Sequence, residues 1–212
     1  MPKRPQTLQE EVVNALTHGF GLIAGLIGIF FLLGKAIRLD QVKPLLGAML
    51  FSLGIIMVYS FSTAYHATKN SRKKAKLQIL DHVSIYFLIA GSYTPMILAI
   101  LKTDKAILFL SIIWGSVLIG TVFKIFFTRK FKTLSVVLYL TMGWLALFFL
   151  NDLLEKVPYD TLFWIGTGGA SYTLGVIFYV KSERLFFHAI WHLFALAGTT
   201  AHFLAVYQLI GQ

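Results

Sequence analysis

Apolar residues recur along this chain in long runs broken only by short polar segments, and seven of the runs are long enough to cross a bilayer: residues 18–37, 44–66, 77–100, 106–127, 134–150, 161–180 and 186–207. A helix rises about 1.5 Å per residue, so roughly 20 apolar residues span a hydrocarbon core of about 30 Å. The fifth run is the shortest. The pattern predicts an all-α integral membrane protein, a single seven-helix membrane domain over residues 1–212. Residues 1–17 form an amphipathic segment ahead of the first crossing. That segment is acidic in QTLQEEVVNAL and the following apolar run is too long for a signal-peptide core, so the first crossing is expected to stay in the mature protein.

Composition agrees with the pattern. The chain is 57% hydrophobic and only 13% charged, about half the charged share of a soluble domain. The formal charge of +10 is not a nucleic-acid signature here, because lysines and arginines of a membrane protein belong first to its cytoplasmic loops. Thirteen of the 19 fall on the N-terminus and the second, fourth and sixth connections, including Lys124 just inside the fourth run; the other six are Lys35, Arg38, Lys43, Lys102, Lys105 and Lys156. The positive-inside rule then predicts a cytoplasmic N-terminus and an external C-terminus. There is no cysteine, so disulfides and thiolate metal ligands are excluded, and a metal would rest on nitrogen and oxygen.

Small residues at Gly21, Gly25 and Gly28, and again at Gly166, Gly168, Gly169 and Ala170, allow close helix approach. Pro95 removes a backbone donor within the third run and is expected to kink it. Ahead of the first run, Glu11, Asn14 and His18 share one helical face.

The chemistry concentrates in the last run, which carries His188, His192 and His202. Ionisable side chains within a membrane segment need a reason. His188 and His192 lie one turn apart on one face, where two imidazoles can converge on a metal or simply hydrogen-bond to neighbouring helices. With the predicted orientation, the second run delivers Ser62 and His66 to the same depth, and the third run starts there with Asp81 and Ser84 on nearly one face. Three separate runs thus meet in the cytoplasmic leaflet, which favours a metal over a hydrogen-bonded polar cluster. The assignment is His66, His188 and His192 as metal ligands to zinc, with the fourth position open, the arrangement of catalytic rather than structural zinc. Asp81 is then a candidate catalytic base toward an attacking water, or a carboxylate that only orients a histidine. Ser62 is a candidate hydrogen-bond donor to the reacting groups, although serines in membrane helices also bond their own backbone. His202 stands about 21 Å along the axis from His188, too far for the same ion. It is expected to pack, as are His18 and His82.

The segments EEVVNALTHG, SFSTAYH, LDHVSIYFLIAGSYTP and HAIWHLFALAGTTAHF, in this order, resemble the hemolysin III group within the progestin and adipoQ receptor family, which includes the adiponectin receptors. The resemblance covers essentially the whole chain. It implies seven helices with a cytoplasmic N-terminus, zinc on the histidines matching His66, His188 and His192, and an aspartate matching Asp81 beside the reacting water. The animal receptors are associated with ceramide hydrolysis, and the bacterial branch is named for haemolysis and linked to membrane-lipid homeostasis. The expectation is a zinc-dependent lipid amidohydrolase of the bacterial plasma membrane, with membrane lipids and a lipid-like substrate as partners. The alternative is a non-enzymatic cytolysin or membrane-state sensor with structural zinc. A metal or proton transporter fits less well, since the polar groups gather at one end.

Overall fold

Thr7 and Glu10 start the first helix by a reciprocal cap: the Glu10 amide donates to Thr7 Oγ1 at 3.3 Å and the Thr7 amide to a Glu10 carboxylate oxygen at 2.8 Å. Two of the amide donors left over at a helix start are satisfied this way. Helix α1 then runs uninterrupted from Leu8 to Arg38, so the amphipathic segment and the first apolar run are one rod. In the computed structural model, which describes residues 4–128 and 130–211, the chain continues as α2 (Val42–Ala67), α3 (Ser71–Ile100) and α4 (Thr103–Phe127). The fifth stretch follows as α5 (Lys132–Gly143), a 3₁₀ segment (Leu145–Phe149) and α6 (Leu150–Lys156), and the chain closes with α7 (Tyr159–Val180) and α8 (Phe187–Leu209). The described residues contain no strand.

Six stretches among the described residues are long and apolar enough to cross a membrane, with 132–156 counted as one. Helix α7 has sufficient length at 22 residues, but its glycines and hydroxyls at 166–169, 171, 173 and 175 dilute its apolarity, and it is not among the six. The fifth stretch predicted as one continuous helix is broken after Gly143. Tyr93 of α3 accommodates the break, its hydroxyl donating to the Gly143 carbonyl at 2.6 Å and accepting the Ala146 amide at 3.0 Å. A side chain thus replaces ladder bonds that no lipid could supply.

Helix α3 is the most buried of the rods, and α2 is its closest neighbour. Their approach depends on missing side chains. A Cβ at Gly91 would stand 2.6 Å from the Leu50 carbonyl oxygen, and one at Gly54 2.8 Å from the Leu88 backbone. Pro95 lies inside α3, with Gly47 of α2 packed against its ring. Helices α1 and α4 instead turn large apolar side chains outward, including Phe30, Leu118, Ile119 and Phe126. So much exposed hydrocarbon suits acyl chains rather than water. The short connections bring the starts of α1, α3 and α8 together with the ends of α2 and α4 at one end of the bundle, the end that carries most of the basic residues.

Candidate metal centre

Helix α8 begins abruptly. Phe186, immediately before it, takes a left-handed conformation with φ 60°, an uncommon one for a bulky residue, and its amide donates to Glu10 at 3.0 Å. Glu10 is buried and gripped by Arg4 through two bonds of 2.8 Å, while Arg4 Nε donates to the Glu183 carbonyl at 3.2 Å. The same carboxylate holds the Arg4 pKa above its ordinary value. The start of α1 is thereby tied to the start of the helix that carries the histidines. Replacing Glu10 by Ala should lower thermal stability in detergent by about 1.5 kcal/mol, the loss of a bond to a charged acceptor, and Arg4→Ala should cost less because that guanidinium is exposed to water. An unchanged unfolding midpoint for Glu10→Ala would show that this tie does not hold α8.

One turn further on, the His188 and His192 rings lie 4.7 Å apart, and His66 from the end of α2 stands 5.2 Å and 5.1 Å from them, centroid to centroid. One nitrogen of each ring falls within 4.8 Å of the other two. His66 and His192 are buried, and His188 is half-buried. Zinc–nitrogen bonds of about 2.0–2.1 Å place tetrahedral ligand nitrogens about 3.3 Å apart, so a contraction of roughly an ångström or more, within reach of side-chain rotation, would gather the three.

The outward nitrogens are already engaged. His66 Nδ1 meets a Glu11 carboxylate oxygen at 2.8 Å, and the other oxygen of Glu11 pairs with Lys74 at 2.9 Å. His192 Nδ1 lies 3.2 Å from the Asn14 carbonyl and 3.1 Å from the Thr17 hydroxyl. A carbonyl only accepts, so His192 carries its proton on Nδ1 and presents a lone pair on Nε2; the Glu11 carboxylate sets the same tautomer in His66. His66 Nε2 is buried with no hydrogen-bond partner. A buried ring nitrogen with no partner, among imidazoles held from behind, is what a divalent ion with a preference for nitrogen requires. The three histidines fit such an ion.

Asp81 sits on α3 beside this cluster, half-buried, with His66, Lys124 and the buried Ser62 close enough to act on its carboxylate. Ser84, on nearly the same face, spends its hydroxyl on the Asp81 backbone carbonyl at 2.6 Å. His18 stacks on His192 at 3.5 Å with the planes 18° apart and meets Tyr59 edge-on at 5.1 Å. It is therefore part of the surroundings of the cluster. His82 lies outside the three-histidine group, its carbonyl accepting the Tyr139 hydroxyl at 2.8 Å. His202 packs against Gly168 and the Tyr172 ring, well along α8 from the cluster.

The contribution of α1 exceeds what the sequence reading assigned to it. The helical spacing puts Glu11, Asn14 and His18 on one face, and in the structure all three contact the histidines, joined by Thr17. The signal was their three- and four-residue spacing. The Thr17 bond and the use of Asn14 through its backbone leave no trace in the sequence.

Residues 6–203 match the family described as "Haemolysin-III related". The chain is 37% identical over 200 residues to the "Hemolysin-3 homolog" of Bacillus subtilis (strain 168), covering 94% of each protein. It is 34% identical over 206 residues to "Hemolysin-3" of Bacillus cereus, covering 97% of this chain and 94% of that one. Over 213 residues it is 28% identical to the human "Monocyte to macrophage differentiation factor", covering 96% of this chain and 86% of that protein.

Proposed function

Since the chain belongs to the haemolysin-III related family, we propose that it is a zinc-dependent integral membrane hydrolase, cleaving an amide or ester of a lipid-like, ceramide-type substrate and so adjusting membrane lipid composition. The observation that carries this reading is the meeting of His66, His188 and His192, with Asp81 and Ser62 alongside and, among the described residues, no fourth histidine or carboxylate within the group.

A zinc ion on those three nitrogens would supply Lewis acidity toward a carbonyl oxygen. The remaining roles belong to the chain. Glu11 and the Asn14 carbonyl hold the tautomers that leave the Nε2 lone pairs of His66 and His192 facing inward. Asp81 takes the proton of an attacking water, and Ser62 orients its carboxylate. The packed starts of α1 and α8 keep bulk water from the reacting groups. A lipid reaches the site sideways from the bilayer.

The proposed topology is seven crossings, with α7 as the sixth of them, a cytoplasmic N-terminus and the C-terminus outside, in the plasma membrane of a bacterial cell. The charge asymmetry supports it. A reporter that works only outside the cytoplasm should be active when fused after Gln212. A reporter active only in the cytoplasm would remove the cytoplasmic-leaflet placement of the site.

The function is tested by incubating purified protein in lipid nanodiscs with long-chain amide and ester lipids and measuring fatty acid release, in parallel with lipid profiles of cells with and without the protein. Release that depends on the metal supports hydrolysis. The names of the two Bacillus relatives favour a second reading, a cytolysin with a structural metal. That reading predicts membrane leakage with no lipid cleaved.

A further inference from the structure

Lys124 is buried, 1% exposed, near the end of α4, whose other charged residues, Asp104 and Lys105, lie in its first turn. Its ammonium donates to Ser135 Oγ at 2.7 Å and lies 5.5 Å over the Tyr139 ring. Ser135 is equally buried and donates in turn to the Phe131 carbonyl. A hydroxyl and an aromatic face solvate a cation without neutralising it. Among the described residues Lys124 forms no ion pair, and Asp81 acts on it only at longer range. The Tyr139 hydroxyl reaches the carbonyl of His82, next in sequence to Asp81, so the ammonium borders the histidine site through one aromatic ring.

The charge count around the site is uneven. Glu11 is committed to Lys74 and His66, which leaves Asp81 as the carboxylate facing Lys124. A divalent ion on the three imidazoles would add two positive charges where Asp81 is the carboxylate acting on Lys124 and Lys132 is a further cation. Unneutralised charge is costly in a low-dielectric membrane interior. An anion entering the site relieves it, and an ammonium has donors to spare beyond Ser135.

We propose that Lys124 forms a subsite for the anionic head group, phosphate or carboxylate, of an amphiphile that occupies the site of His66, His188, His192 and Asp81. The proposal rests on the metal reading above and deepens it: the lipid-like substrate is one whose head group carries a phosphate or carboxylate, which an unmodified ceramide lacks. Lys124 recognises the head group as a point charge, while the exposed apolar faces of the bundle accept the acyl chain.

The probes are dodecyl phosphate and the zwitterionic dodecylphosphocholine, with inorganic phosphate to distinguish a lipid head group from a free anion. Binding is measured by calorimetry on metal-loaded full-length protein in a neutral detergent, with metal content determined on the same samples. Wild type should bind dodecyl phosphate about tenfold or more tightly than dodecylphosphocholine, as one charge-assisted bond allows. Inorganic phosphate should compete poorly. Lys124→Met and Lys124→Gln, of which either suffices if the other does not fold, should lose the preference while keeping the metal, and Lys124→Arg should retain it. A preference that persists in the folded neutral variants overturns the subsite, as does equal binding of both amphiphiles by wild type. Effective competition by inorganic phosphate overturns the lipid part of it. Wild type without metal sinks the metal reading instead, and the amphiphile comparison still reads Lys124 on its own.

Discussion

Purified protein carrying His188→Ala and His192→Ala should contain essentially no zinc, against about one ion per chain in wild type. Three neutral nitrogens are a minimal clamp, and removing two leaves His66 alone, which cannot hold the ion through purification. Either single substitution should also abolish tight binding. His202→Ala provides the control, because that ring packs on Gly168 and Tyr172 at another depth and should leave zinc untouched. The check is elemental analysis of matched preparations with thermal unfolding alongside, to confirm that each variant is folded. Equal zinc in wild type and the double variant would mean that the ion lies elsewhere.

Asp81→Asn should separate the chemistry from the scaffold. The substitution preserves shape and the partnership with Ser62 but removes the group assigned to take a proton. Positioned acid–base catalysis is worth about 10²–10⁴-fold in rate, so lipid cleavage should fall by that order while zinc content and the unfolding midpoint stay close to wild type. If Asp81 only steadies a ligand, zinc affinity should drop about 10–100-fold and no catalytic signature should appear. Rate and zinc content therefore have to be measured on the same samples. Loss of zinc in Asp81→Asn, or retained zinc with unchanged cleavage, would end its assignment as the base.

How much of this arrangement was legible follows from what a one-dimensional pattern records. Apolar runs marked the long helices well because burial and lipid exposure both demand hydrocarbon, yet the start of α1 at Leu8 was set by the Thr7–Glu10 cap rather than by hydropathy. The break after Gly143 was invisible, since it depends on a tyrosine hydroxyl from another helix. In α7, glycine serves packing at the expense of apolarity, with Gly168 making room for the His202 ring. At the site, loop charges and run order located His66, His188 and His192 at one depth, and the structure brings one nitrogen of each within 4.8 Å of the others. Ser62 lies by Asp81, a neighbour some sixty-odd ångströms away along an extended chain, and no local pattern distinguishes that from the backbone bond Ser84 makes. His18 reads from sequence as a packing histidine, and its stacking on His192 emerges only when α1 is laid against α8. Lys124 counted in sequence as a topology charge, although the fold buries it beside Ser135.

Zinc K-edge X-ray absorption on the purified, membrane-embedded protein tests the central claim most directly, because it reports the atoms around the ion without reference to any activity. The account predicts about one zinc per chain, with a first coordination sphere of three imidazole nitrogens and one further oxygen or nitrogen neighbour at about 2.0–2.1 Å, and loss of that signal in the His188→Ala, His192→Ala variant. A protein that binds no zinc, or one whose zinc spectrum is unchanged in that variant, would contradict it.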